Sequence, residues 1–493
     1  MAVVAQTNLF SWDALDARTD LERLNLAIDN LPDDKIIQYL EVMRGNGRDD
    51  YPIKAMWHAL IAGIVFQHES IESLIRELRR NPLLFQTCGF NPLPIQRKPQ
   101  LRLVRNEQTN QVEKQYDATE EAHYSVPDSH NFSRFLINVI ELEECLGLIS
   151  AMLILLREQL MEYLPGFGEH MGYDGKAVES HSTGQKSRDS GQTSDPDADW
   201  GKHKICGHDK HGKAWEKVKS WFGYRLHVIA DTEYEIPVAI RITPASHSEQ
   251  RVLRDMIRET FSQTPTLADI CKDFSADRGL DCGKTKAMLW DDYGIRPLID
   301  TRLMWREEKN APDYDPSKPI TRPLNTETVD NITYTERGSL HCICPQTGEQ
   351  RDLAFHGFEV ARNTLKYRCP AAAYGFDCHG KAQCLDNADS EAEHYGRTVR
   401  INLNSVDRRI FVPTPHGSPA WQRGYNRRSA MERINSRIDN DFCFEKHYIR
   451  GKAKMETRMG LAVAVMMAMA LGHVKAGRQH QMRSLVQPID KAA

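Results

Sequence analysis

The sequence has no apolar run long enough to cross a bilayer: the longest, between Leu461 and Leu471, falls well short of the roughly 18 residues a span requires. Its first residues, Met-Ala-Val-Val-Ala-Gln-Thr, show no basic segment, sustained apolar core or small-residue cleavage pattern. The expectation is therefore a chain that is not exported and has no membrane partner, in a reducing cytosol. Eleven cysteines, an odd number among 493 residues, do not suit a disulfide framework and read as buried thiols or metal ligands. Ser and Cys nucleophile motifs, Gly-rich phosphate loops and dinucleotide fingerprints are missing, which leaves carboxylates as the groups to examine for chemistry. An excess of one charge is missing too, with 64 Lys and Arg against 68 Asp and Glu. That excludes a uniformly basic surface, and any polyanion site must be sought segment by segment.

What is present is enough apolar sequence, 40%, for real cores in about three domains. The first 165 residues read as helical. Residues 55–66 are apolar almost all round and predict a buried helix, and Ser70 is placed to cap the next one, 71–80, with Ser73 where the glutamate of a capping box would stand. Residues 93–128 are polar and aperiodic and read as a loop or insertion before a second helical stretch, 131–160. The period then changes. A strand at 171–178, a long polar loop at 181–213, and a hairpin of 222–230 with 234–243 are expected. A helix from Ser246 to Phe261 follows, its capping box closed by Glu249, and then a strand ending at Asp277, a helix at 284–293 and a strand at 296–299. Two late helices, 420–440 and 455–475, complete an α/β architecture with a five-stranded mixed sheet. The apolar 460–472 reads as a core helix beneath that sheet. Residues 303–412, with five cysteines and several β-type runs, read as an insertion that folds on its own. The expected division is 1–165, 166–302, 303–412, 413–480 and a tail at 481–493.

In such sheets, reactive groups gather at strand ends. Asp174, between glycines in the first strand, and Asp277, ending the fourth, would stand side by side if those strands are neighbours. Two adjacent carboxylates raise each other's pKa unless a cation lies between them, and oxygen ligands with open positions favour Mg²⁺ or Mn²⁺. A third acid, Glu432, shares a helix face with Tyr425 and Arg428 at i, i+3 and i+7. Around it, 421–454 carries nine basic residues, Arg427, Arg428, Arg433 and Arg437 among them, against four acidic ones. That net of +5 suits a groove holding phosphates with arginines and a metal with the glutamate. A second basic segment, 201–220, has six lysines, including Lys202 and Lys204, against two acids, a net of +4. Its histidines and cysteine (His203, Cys206, His208, His211) accompany charge that suits phosphate contact better than a metal cage.

Asp174-Gly175-Lys176, Ser194 to Gly201, Trp221-Phe222-Gly223-Tyr224-Arg225-Leu226-His227, Ala276-Asp277-Arg278-Gly279 and the Tyr-x-x-Arg-x-x-x-Glu of Tyr425 to Glu432 occur in one order. In this the chain resembles bacterial insertion-sequence transposases of the DDE type, over most of its length. The resemblance implies a ribonuclease H-like catalytic core interrupted by a β-rich insertion, with Asp174, Asp277 and Glu432 binding two Mg²⁺ or Mn²⁺ ions. It also implies Tyr425 and Arg428 on DNA phosphates, an amino-terminal DNA-end-binding part, and a homodimer acting on terminal inverted repeats and target DNA. Cut-and-paste transposition in a bacterial cytoplasm, on the nucleoid when DNA-bound, is the activity implied. A ribonuclease H-like nuclease without strand transfer and an inactive transposase-derived DNA-binding protein are the alternatives. Such enzymes often carry a basic residue seven positions after the glutamate, where this chain has Asp439.

Cys342, Cys344, Cys369, Cys378 and Cys384 within the insertion read as structural, either as reduced thiols or as ligands of Zn²⁺. Trp305 reads as a packing residue before a base-stacking one.

Overall fold

The computed structural model describes residues 17–45, 51–91, 95–96, 101–105, 112–116, 121–122, 126–184, 193–208, 214–302, 304–305, 320–324, 331–385 and 396–485. Lys210, His211 and Lys213, the first seven residues and 486–493 of the tail lie outside them, as do the side chains of Lys204, Cys206 and His208.

In chain order the helices α1 (Ala17–Asn30), α2 (Asp34–Arg44), α3 (Ile53–Val65), α4 (Ile71–Arg80) and α5 (Pro82–Thr87) come first. Short strands β1 (Ile95–Gln96), β2 (Leu101–Arg105), β3 (Val112–Tyr116) and β4 (Glu121–Ala122) precede α6 (Ser129–Leu146) and α7 (Leu148–Tyr163). The central run is β5 (His170–Glu179), β6 (Asp199–His208), β7 (Ala214–Asp231), β8 (Ile236–Pro244), α8 (Glu249–Gln263), α9 (Pro265–Ile270), β9 (Asp273–Ala276), α10 (Gly283–Ala287) and β10 (Arg296–Ile299). Next come β11 (Thr321–Pro323), β12 (Ile332–Thr335), β13 (Leu340–Ile343), β14 (Gln350–Asp352), β15 (Ala354–Glu359), β16 (Thr364–Arg368), α11 (Pro370–Tyr374), α12 (Lys381–Leu385) and β17 (Thr398–Asn402). Helices α13 (Pro419–Asn426), α14 (Ser429–Asn440) and α15 (Lys452–Lys475) close the chain.

The chain forms two compact units that interleave in sequence: one of residues 1–164, 177–224 and 436–493, the other of 165–176 and 225–435. In the first unit, α15 packs against α7, α1, α3 and α6. Its 24 residues are long and apolar enough to span a bilayer by composition alone, because the charges near its ends flank a longer helix than the uncharged run suggests. The apolar window is 89% buried, so the helix is the core of a helical unit, which replaces the expected position beneath the sheet. Ser70 caps α4 as expected, and Ser73 itself closes the box, accepting from the Ser70 N–H while its own N–H donates to Ser70 Oγ at 3.2 Å.

Two stretches read as loops contain strands. Within 93–128, β1 pairs with β4 and β2 with β3, each antiparallel. Within 181–213, β6 pairs antiparallel with the first half of β7, from Asp199↔Gly223 to His208↔Ala214. Its lysines hid it: they are polar on a strand that lies last in its sheet, where charge discourages pairing with other chains. Gly223 (φ 154°) is required in this unit, since a Cβ there would meet the Val178 carbonyl oxygen at 2.4 Å. Beside it the fully buried Asp195 carboxylate accepts from the Ser180 and Tyr224 hydroxyls and from the Gly451 N–H. These bonds hold its pKa below the usual range against the opposing effect of burial.

In the second unit β5 lies between β7 and β9, β9 pairs with β10, and β8 pairs with β7. These are the five expected strands, with β5, β9 and β10 parallel, and β6 makes the sheet one of six strands where five are expected. Helix α8 starts at Glu249, three residues later than expected, because Glu249 pairs with Arg225 and does not close a box with Ser246. The α14 side reaches the sheet where Gly172 leaves room: a Cβ there would meet Thr232 Cγ2 at 2.8 Å and Met431 Sδ at 3.2 Å. The insertion holds a four-stranded sheet, β11-β12-β13-β14, and a three-stranded one, β15-β16-β17, around one apolar cluster. Trp305, 4% exposed, belongs to that cluster, with Arg322 stacked 4.4 Å from its ring centre, which excludes a base-stacking role in this conformation.

Two predictions follow from the buried polar groups. Asp195→Ala should lower the stability of the full chain by about 2–3 kcal/mol in urea unfolding, because three donors lose their acceptor in a dry site. His227, fully buried between the Tyr173 hydroxyl and Thr243 Oγ1, is pushed down to about 3 by burial. An imidazole whose folded pKa lies below its unfolded value of about 6.5 binds fewer protons folded than unfolded, so stability falls on acidification below that value. The urea midpoint should drop between pH 7 and pH 5 by the equivalent of about 2 kcal/mol for this group, and His227→Gln should flatten that slope.

Candidate active site

The parallel pairing of β5 and β9 runs in register from His170↔Asp273 to Tyr173↔Ala276. The next residue on each strand is Asp174 on one and Asp277 on the other, so the two acids leave adjacent strand ends together, in the strand order the sequence suggested. Asp174 Oδ1 accepts from the Gly175 N–H at 2.9 Å, and Oδ2 accepts from Asn435 Nδ2 at 2.8 Å. Asp277 opens a 3₁₀ turn, Arg278–Leu280, and accepts from the Gly279 N–H. That turn is fixed from behind: Arg278 donates to the Thr301 carbonyl, and Arg302 to the Arg278 and Gly279 carbonyls.

Tyr425 to Glu432 differs from the continuous helix the spacing predicts. Helix α13 ends at Asn426, Arg427 and Arg428 form a turn, and α14 begins at Ser429. The turn is tightened by i to i−3 bonds from Arg428 to Tyr425 and from Met431 to Arg428. The three side chains still meet. Arg428 Nη2 lies 3.2 Å from Glu432 Oε1, its guanidinium carbon is 5.8 Å from the Tyr425 ring centre, and Tyr425 stacks on buried Trp421 with centroids 4.6 Å apart.

The electrostatics joins these elements. Burial alone would lower the Arg428 pKa, but Tyr425, Asp277, Glu432 and Asp174 together hold it above the usual arginine value. Burial pushes the Asp174 carboxyl above the ordinary carboxylate range; Asp277 and Glu432 add to this, while the Gly175 N–H and Arg428 oppose it. One guanidinium therefore sits among all three acids. Asn435, three residues after Glu432, is a partner of Asp174 that the spacing arguments pass over; its i+3 position on the same helix is the available signal.

Among the described residues no three His, Cys, Asp or Glu side chains are drawn up as a finished metal cage. The donor set nevertheless fits a hard cation: three carboxylates close enough to perturb one another, beside a buried Asn435 Oδ1 with no hydrogen-bond partner among the described residues. The other basic candidates are placed differently. Arg433 clasps the buried Glu235 at 2.8 Å, and Arg427 lies 3.7 Å from Glu233 and 4.0 Å from Asp273. Lys202, exposed, and Lys204 lie on β6 in the first unit, and Arg437 and Asp439 lie in the part of α14 that belongs to that unit. The five insertion cysteines line one cavity of about 180 Å³, and every described cysteine is a free thiol.

A buried ion pair roots the insertion beside the Asp277 turn. Lys286 Nζ and Asp281 Oδ1 are 2.8 Å apart with both side chains inaccessible to solvent; Arg409 reaches Asp281 at 2.9 Å and the Arg302 N–H donates to it. Burial works against the Asp281 charge, but Lys286, Arg302 and Arg409 hold its pKa below the usual range.

Comparison with known proteins places the chain among transposase-like sequences. The family model described as "Transposase DDE domain" matches residues 174–468, more than half of the chain. A cryo-EM structure of the piggyBac transposase synaptic complex with hairpin DNA aligns over 96% of this chain and 80% of that one, at 11% identity and a TM-score of 0.37. No curated protein matches the chain.

Removing one member of the buried pair should be costly. Lys286→Met leaves the Asp281 carboxylate short of its closest cation, and urea unfolding should show a loss of about 3 kcal/mol.

Proposed function

We propose, for a chain that belongs to the family of transposase DDE domains, a DNA-cleaving and strand-transferring active site at Asp174, Asp277 and Glu432. The observation that carries this reading is the β5–β9 register, which delivers two carboxylates to adjacent strand ends, where Arg428 links them to the third. The three acids would hold two Mg²⁺ or Mn²⁺ ions, which when bound supply activation of a water and stabilisation of the leaving 3′ oxygen.

The chain's own groups prepare that site. Asn435 fixes the orientation of Asp174 through Oδ2, and the Gly175 N–H holds the other oxygen. Arg428 balances the carboxylates in the free protein; when a scissile phosphate enters, the guanidinium exchanges its Glu432 contact for the phosphate, a charge-assisted and bidentate partner. Tyr425, held flat against Trp421, presents its hydroxyl beside the same phosphate. No protein nucleophile is needed. The helical amino-terminal part, 1–165, would bind terminal inverted repeats, Lys202, Lys204 and Arg437 would add phosphate contacts, and a homodimer would bring two ends together.

The test is a cleavage and strand-transfer assay with the element's own end DNA and Mg²⁺. Asp174→Asn, Asp277→Asn and Glu432→Gln should each reduce cleavage by about 10²–10³-fold or more, the scale of losing one preorganised charge-stabilising group, while end binding persists. Arg428→Ala should lower both cleavage and the salt dependence of binding. Full activity in any of the three acid variants would overturn the assignment. Cleavage without joining of the freed 3′ end would mark a nuclease, and intact end binding with no cleavage would mark an inactive derivative.

A further inference from the structure

Segment 369–384 of the insertion is a folded piece of chain with almost no apolar core. Between 371 and 384 nearly every residue is exposed, and the positions that turn inward are Ala371, Cys378, Gly380 and Cys384. Helix α11 buries only Pro370. Thiols thus stand where a small β subdomain would place its leucines and valines. Cys369 closes β16 and precedes α11, and Cys344 follows β13 in the other sheet. All of them face the same cavity of about 180 Å³.

The backbone around these sulfurs is arranged for thiolates. Cys344 accepts from the Thr347 hydroxyl and from the N–H groups of Thr347, Gln346 and Gly380, and Cys378 also accepts from the Gly380 N–H. Asn331 Nδ2 donates to Cys384 Sγ at 3.7 Å. Arg397, whose N–H donors also hold Asn331, places its positive charge toward Cys384, Cys342 and Cys369. Two glycines preserve the space: a Cβ on Gly380 would come within 3.1 Å of Cys344 Sγ, and one on Gly396 within 3.4 Å of Cys369 Sγ. Cys342 lines the same cavity near Cys369, Cys378 and Cys384, but its side chain also packs against the apolar cluster of the insertion and burial pushes its thiol up to about 11.

We propose that Cys344, Cys369, Cys378 and Cys384 hold one structural zinc ion, which pins segment 369–385 to the end of β13, while Cys342 stays a packing thiol. Four soft thiolates select zinc in a tetrahedral closed site, and N–H donors to sulfur together with a neighbouring arginine offset the excess negative charge such a site carries. The sulfurs are not drawn up to a common point in this structure; the proposed site requires them to close on the ion to the roughly 2.3 Å of a zinc–sulfur bond. A segment so poor in apolar contacts gains its order from the metal, as small metal-dependent folds do.

The experiment uses the full chain purified under reducing conditions with zinc supplied. Metal analysis should give one zinc per chain. Cobalt exchanged into the site should show the thiolate charge-transfer absorption of a four-sulfur centre. Cys344→Ser, Cys369→Ser, Cys378→Ser and Cys384→Ser should each abolish stoichiometric zinc, whereas Cys342→Ser, the exposed Cys145→Ser and Asp174→Asn should retain it. The last variant separates this ion from any held by the carboxylates. The unaltered chain provides a second measurement that does not depend on a ligand variant folding: chelation should open 369–385 to protease, and zinc should close it again. A zinc-free chain whose Cys369, Cys378 and Cys384 are alkylated at the same rate with and without zinc would overturn the proposal. So would disulfides among these cysteines, or loss of zinc from Cys342→Ser with retention in any of the four.

Discussion

Burial of a carboxylate beside other acids is the constraint on which the acidic cluster of the second unit depends. The parallel register of β5 and β9 brings Asp174 and Asp277 to neighbouring strand ends, and the helix after the Arg427–Arg428 turn adds Glu432. Burial raises the pKa of the Asp174 carboxyl, the neighbouring acids add to it, and a positive charge opposes it. In the free protein Arg428 is that charge, and its own proton is held more tightly in return. The cluster thus gathers negative charge whose balance in the free protein rests on that arginine. The groups around it keep the acids from relaxing apart: Asn435 on Asp174, the Arg278 and Arg302 bonds that brace the Asp277 turn, and the Tyr425 stack on Trp421.

The same physics recurs where the insertion leaves the sheet. Lys286 and Asp281 are buried together, and such a pair is stable only with its geometry and hydrogen bonds complete. Arg409, from the far end of the insertion, and the Arg302 N–H complete it, so both ends of a long excursion are tied beside the turn that carries Asp277. The insertion interrupts the sequence of the second unit between β10 and α13, and these bonds tie its two ends together. Its own core, around Trp305, Ile332, Leu365 and Phe411, serves both of its sheets.

Some features were hidden in the sequence for identifiable reasons. Strand β6 looks like a loop in sequence because Lys202, Lys204 and their polar neighbours give no apolar alternation; the pairing with β7 is made by backbone, which composition does not record. The start of α8 was misplaced because Glu249 had two possible partners, its own helix terminus and Arg225, and only folding brings Arg225 near. The apolar run of α15 indicated burial but not the neighbours, and those proved to be α7, α1, α3 and α6. The Tyr425–Glu432 spacing remained informative although the helix breaks, because i to i−3 turns keep residues three and four apart on one side.

The sequence by itself determined the local elements and the identity of the groups. Strand composition, the acids at strand ends, the basic charge around Glu432 and the clustering of cysteines in the insertion are all properties of neighbouring residues, and short-range chemistry sets them. Only the tertiary structure decided which of these groups meet. Asn435 on Asp174, Arg428 among three acids, Arg433 turned away onto Glu235, and thiols from two sheets around one cavity all depend on strand order and helix docking. Such pairings join residues up to 261 positions apart, and packing sets them.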